Sequence, residues 1–103
     1  MYQRTTPSYI FVLPEGEYDI IEITFKQGGF SIEKVYEDGT LDDGMYFTVD
    51  GNIAVQLTQR ETNNFDLNRS VRVQVRVKTS EGAVLASEVY KVIVCDTLNE
   101  NII

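Results

Sequence analysis

From Ser8 to Cys95 the apolar residues recur at every second position far more often than at helical spacing. The clearest stretch is Val71-Arg72-Val73-Gln74-Val75-Arg76-Val77-Lys78-Thr79. It sets four valines on one face of a strand and Arg72, Gln74, Arg76 and Lys78 on the other. A long return strand, Val84 to Cys95, follows Ser80-Glu81-Gly82, where Gly82 suits the left-handed position of a short hairpin loop. Along that strand both Tyr90/Val92/Val94 and Val89/Ile93/Cys95 are apolar. The pattern therefore predicts either a bulge near Lys91 or a strand end buried on both faces.

Earlier segments alternate in the same way. Ser8 to Leu13 is bounded by Pro7 and Pro14, which lack an amide donor and favour strand ends or edges. Tyr18 to Lys26 and Phe30 to Tyr36 flank Gln27-Gly28-Gly29, and Met45 to Val49 and Asn52 to Thr58 flank Asp50-Gly51. Asp-Gly is the short-range signature of a two-residue type I′ turn. Between Tyr36 and Met45 the residues 37 to 44 read as a polar loop.

One helical signal interrupts the strands. Thr58-Gln59-Arg60-Glu61 fits a capping box and opens a helical turn or two over 58 to 65, with Leu57 and Phe65 as anchors. Seven short antiparallel strands and this one turn predict an all-β fold, a single immunoglobulin-like Greek-key sandwich covering 1 to 103. Residues 96 to 103 form a C-terminal arm in this reading.

Composition narrows the chemistry. The 103 residues contain no His, no Trp and one Cys. A Ser-His-Asp triad, a Cys-His pair and His-containing zinc sites are thereby excluded, and a catalyst would have to work with carboxylates alone. Cys95, in the apolar run Val92-Ile93-Val94-Cys95, is expected to be a small buried hydrophobe. The opening residues lack a secretory pattern and no apolar run approaches a membrane span, which points to synthesis in a reducing cytoplasm without a membrane partner.

The net charge of −7 is uneven. Residues 1 to 50 hold ten acids against Arg4, Lys26 and Lys34, whereas residues 51 to 103 are balanced. Because nucleic-acid binding is driven by Lys and Arg releasing counterions, this balance argues against a nucleic-acid partner. The acidic patch Glu37, Asp38, Asp42 and Asp43 departs from the calcium-loop pattern, so a solvated loop is expected and no metal or cofactor. The row Arg72, Gln74, Arg76 and Lys78 is the candidate interaction face. Its structural explanation is cross-strand pairing with Glu88, Glu22 or Glu33; its functional one is docking to an acidic partner, including the acidic half of another copy in a homo-oligomer. The six Tyr and five Phe fit core and half-buried strand positions better than a sugar platform.

Two groups of segments carry a resemblance. Arg4-Thr5-Thr6-Pro7 precedes Ile10-Phe11-Val12-Leu13-Pro14. Further on come Val55-Gln56-Leu57-Thr58-Gln59-Arg60-Glu61-Thr62, Phe65, Val73-Gln74-Val75-Arg76-Val77 and Val84-Leu85-Ala86-Ser87. In kind and order these are similar to a group of small proteins encoded in prophages of Firmicutes and, more loosely, to the immunoglobulin-like domains of phage baseplate upper proteins. The resemblance implies a non-catalytic phage structural or accessory protein, a tail, baseplate or head-associated module whose partners are other phage structural proteins. It carries no catalytic residues over. Two other classes stay open at this point: an acidic DNA mimic that inhibits a host defence protein, and a carbohydrate-binding module.

Overall fold

A computed structural model describes residues 1 to 98. Nine strands and one short helix occur in the order β1 (Ser8–Phe11), β2 (Tyr18–Gln27), β3 (Phe30–Glu37), β4 (Thr40–Leu41), β5 (Met45–Phe47), β6 (Ile53–Gln56), α1 (Gln59–Asn63), β7 (Ser70–Thr79), β8 (Val84–Ala86) and β9 (Tyr90–Ile93). They form the expected all-β sandwich. A three-stranded sheet, β1-β6-β5, faces a larger one, β4-β3-β2-β7, whose far edge is shared by β8 and β9. All strand pairs are antiparallel. The connection through α1 returns the chain from the small sheet and lays β7 beside β2, the Greek-key element of the fold.

Alternation decides what is buried. Ile21, Ile23 and Phe25 of β2 meet Val77, Val75 and Val73 of β7 in register, and all six are buried. Met45, Ile53, Val55 and Leu57 face them from the small sheet side, and rings from β1 close the contact: Tyr9 packs on Phe25 at a tilt and Phe11 edge-on, at centroid distances of 5.6 and 6.5 Å. A fully buried side chain of this size contributes about 1.5–3 kcal/mol, so these central strands hold most of the apolar stabilisation.

The turns explain three departures from the sequence pattern. Asp50-Gly51 is not a two-residue turn. Only Gly51 has a left-handed φ, of 80°, while the Gly51 amide donates to the Thr48 carbonyl and the Thr48 amide to the Asn52 carbonyl. The loop is therefore longer and the strands on either side shorter. The type I′ arrangement falls instead at Asp38-Gly39, where φ is 49° and 81°; the stretch 37 to 44 is thus no open loop, but a hairpin turn leading into β4. Third, β7 and the return strand are out of phase by one residue. Arg76 pairs with Ala86, yet Val73 pairs with Tyr90, so one extra residue lies within 87 to 89 and splits the return strand into β8 and β9.

That bulge lies before Lys91, not at it. Ser87 holds it on both counts: its amide donates to the Val75 carbonyl and its hydroxyl accepts from the Val75 amide. The extra residue moves the inward set from Leu85 and Ser87 to Tyr90, Val92 and Val94 and leaves Ile93 exposed, so the end is not buried on both faces. Cys95 is half-buried, less enclosed than its apolar surroundings in sequence implied. Of the expected arm, Asp96 to Leu98 is described and 99 to 103 lies outside the described residues.

Gly44 marks the crossing from the large sheet to the small one. Its φ of 83° is left-handed, its carbonyl accepts from the Gln56 amide at 2.8 Å, and a Cβ there would collide with the Gln56 carbonyl.

Candidate interaction face

The outer face of the large sheet carries the predicted basic row. Arg72, Gln74, Arg76 and Lys78 project from β7 away from the core because Val71, Val73, Val75 and Val77 project into it. The sheet order sets β3 and β4 at one edge and β8 and β9 at the other, so the face is electrically divided. Glu22, Glu33 and Glu37 lie on the β2-β3 side, and the cations, apart from Lys26 at the end of β2, on the β7-β9 side.

Expected neighbours of the basic row divide sharply. Arg76 meets Glu22 in register and pairs with it at 3.1 Å, on a well-exposed surface where such a pair adds well under about 1 kcal/mol. Glu33 lies opposite Thr24, not opposite a cation of β7, and Glu88 falls in the bulged stretch without an ion pair among the described residues. Gln74 has a structural duty: its amide donates to the Ser87 carbonyl at 2.9 Å and pins the bulge. Lys78 sits between Ile20 and Val84.

Arg72 stands in a different environment. It is in direct register with Lys26 of β2 on one side and Lys91 of β9 on the other. Three cations thus form a lateral row across three strands, and among the described residues none of them has an ion-pair partner. Like charges directly opposite across strands are destabilising, by roughly 0.2–1 kcal/mol per pair. An incoming carboxylate or other anion would relieve that repulsion. Lys26 and Lys91 escaped the sequence reading because only strand register brings them beside Arg72.

The acidic patch occupies the β3-β4 edge. Glu37 and Asp38 form the tight turn, and Asp42 and Asp43 follow β4. The Asp42 carboxylate accepts from the Val35 amide at 2.8 Å, capping the part of the β3 edge that β4 leaves uncovered. Among the described residues no three acids or thiols converge at metal-binding distance.

A second polar assembly, unforeseen from the sequence, lies where the two ends of the chain meet α1. Gln3, Gln27 and Thr62 are the buried polar residues, and each is spent on a distant partner. Gln3 donates to the Phe65 carbonyl at 2.6 Å, and Gln27 donates to the Asp66 carbonyl at 3.0 Å while accepting from the Asp66 amide. The Thr62 hydroxyl donates to the Thr5 carbonyl and accepts from the Thr5 amide. Arg4, in a left-handed conformation with φ 57°, contacts Asn63, Asp96 and Thr97. The capping box is present as expected, with Thr58 and Glu61 bonded reciprocally, and Lys34 reaches Glu61 at 3.1 Å. Partial burial pushes the Glu61 carboxyl up, but the Thr58 backbone hydrogen bond and the bond and charge of Lys34 outweigh it and hold the group below the usual carboxylate range. Arg4-Thr5 and Thr62, part of the motif resemblance, therefore have a structural duty in this assembly.

No protein-family model, curated protein or solved structure matches the chain.

Proposed function

We propose that the chain is a non-catalytic phage or prophage structural or accessory protein, an assembly module acting through protein-protein contacts, with the β7-β9 side of its large sheet as a docking face for an acidic partner. The row Lys26, Arg72 and Lys91 carries this reading: three adjacent cations without internal carboxylates are held on a rigid central sheet. The prophage resemblance supplies the setting, and the sheet supplies the contact. Charges of this kind set association rate and partner choice more than raw affinity.

The acids of the first half give less support to DNA mimicry. Glu22 is engaged by Arg76 and Asp42 by the Val35 amide, so they do not present one free row. The exposed tyrosines give little support to a sugar platform, since Tyr46 lies on β5 and Tyr90 on β9, in different sheets, and Tyr2 lies in the N-terminal segment bridged to Cys95.

The test is binding of the purified protein to the products of its neighbouring genes, measured by titration at low and high salt. Arg72→Glu with Lys91→Glu is expected to weaken a complex at least tenfold and to flatten its salt dependence. A complex indifferent to both the substitutions and the salt would overturn the docking face, and flanking genes unrelated to virion assembly would overturn the setting.

A further inference from the structure

One side of the sandwich is open. Between β1 of the small sheet and β8-β9 of the large one runs an apolar groove of about 740 Å³, floored by Val73, Val75 and Val77 and walled by Tyr9, Phe11 and Leu85. Both flanking strands are sheet edges: among the described residues β1 pairs only with β6, and β8 and β9 pair only with β7. The Leu57 amide donates to the Pro7 carbonyl, which fixes the phase of β1, so that the main-chain groups of Ser8, Ile10 and Val12 point away from β6.

These edges differ from the others in chemistry. Exposed unpaired edges are ordinarily guarded by charge, bulges or covering segments. The β3 edge has Glu33 and the Asp42 cap, and the β9 edge is bulged at its start and covered by Met1 at Ile93. Ser8 to Leu13 contains no charged residue and no bulge, yet Ile10 is 61% and Val12 81% exposed.

Leu85, Val89 and Tyr90 are also at least half exposed along the facing edge. Together with Ile10 and Val12 on the β1 edge they offer roughly 100 Å² each, on the order of 500 Å², judged from the free energy of burying such side chains. A stable dimer buries about 800 Å² on each partner, so these side chains supply more than half of it and the β1 main chain with the groove lining adds to them.

We infer that the open side is covered by a second copy of this chain, joined about a two-fold axis through antiparallel pairing of β1 with β1. Such an interface is self-complementary, and the uncharged β1 edge meets itself without like-charge repulsion. In the β1 dimer the small sheets join into one of six strands, and the two grooves close against each other. The inference goes beyond the docking face and does not depend on it, because Arg72 and its neighbours lie on the outer surface of the large sheet.

Sedimentation equilibrium of the intact chain tests it. The expected result is a species of twice the 11.7 kDa chain mass, with Ile10→Lys/Val12→Lys raising the dissociation constant at least a hundredfold while leaving the far-ultraviolet spectrum and the melting curve of the monomer intact. Ile10→Pro, which removes an edge amide the monomer does not use, is expected to weaken the dimer in the same direction. Arg72→Glu/Lys91→Glu should leave it unchanged. A wild-type chain still monomeric at about 100 μM, a dimer insensitive to both β1 variants, or a dimer abolished by the Arg72→Glu/Lys91→Glu pair would each overturn the proposal.

Discussion

The end of the sandwich around α1 and the side between β1 and β8-β9 are built by opposite means. At the first, Gln3, Gln27 and Thr62 are buried, and each makes a hydrogen bond to backbone far away in sequence. At the second, apolar side chains stand in solvent beside unpaired strand edges. A buried polar group is costly unless satisfied, so the first arrangement tolerates one geometry only. Apolar burial is non-directional and leaves the second free to be completed by whatever surface fits it. Closure by hydrogen bonds makes a region specific from within; closure by apolar contact lets a region wait for another molecule.

The contrast can be broken most directly by truncating one large side chain in each region. Phe65→Ala, at the closed end where Phe65 packs on Phe30 at 5.2 Å, is expected to cost about 3–5 kcal/mol in urea unfolding. Leu85→Ala, on the open side, should cost less than about 1 kcal/mol to the monomer. Equal losses would show that the groove is as much a part of the core as Phe65.

A smaller effect is expected from Gln27→Ala. It leaves the Asp66 amide and carbonyl without their partner, at about 1–3 kcal/mol, and thermal melting of the variant checks it. Hydrogen exchange then sharpens the comparison residue by residue. The Gln3 and Cys95 amides, bonded across the chain ends, should exchange more slowly than those of Ile10 and Val12 under conditions where the protein is monomeric.

The smallest predicted effect is a pH dependence at α1. The folded Glu61 carboxyl sits below its unfolded value, so its contribution is full above the unfolded carboxylate range and is lost as pH falls through the lowered folded value. Glu61→Gln should remove that share of the acid sensitivity, less than about 1 kcal/mol, seen as a shallower decline of melting temperature below the ordinary glutamate range.

Alternation along β2 and β7 made the sandwich legible, because Ile21, Ile23, Phe25 and the four valines can be buried together in only one phase. The closed end was harder to read, since Gln and Thr ordinarily belong to surfaces. A signal was nonetheless present: Gln27 continues the inward parity of Ile21, Ile23 and Phe25. The basic row was half legible. Arg72 and Arg76 share a strand, whereas Lys26 and Lys91 join them only through registers that depend on hairpin lengths and on a bulge. The Asp-Gly pairs at 38-39 and 50-51 show the same limit, for the same dipeptide makes a tight turn at Asp38 and a wider one at Asp50, according to which residues take positive φ.

The bulge after β8 has a genetic consequence. Because it adds one residue to the return strand, losing a single codon within 87 to 89 would remove the surplus and keep Tyr90 and Val92 opposite Val73 and Val71, whereas gaining one there would turn the rest of the strand over and present Lys91 and Ile93 to the core. A three-base insertion here should thus be far more damaging than a three-base deletion. The reading frame would survive both, but only the deletion would leave the strand's phase intact.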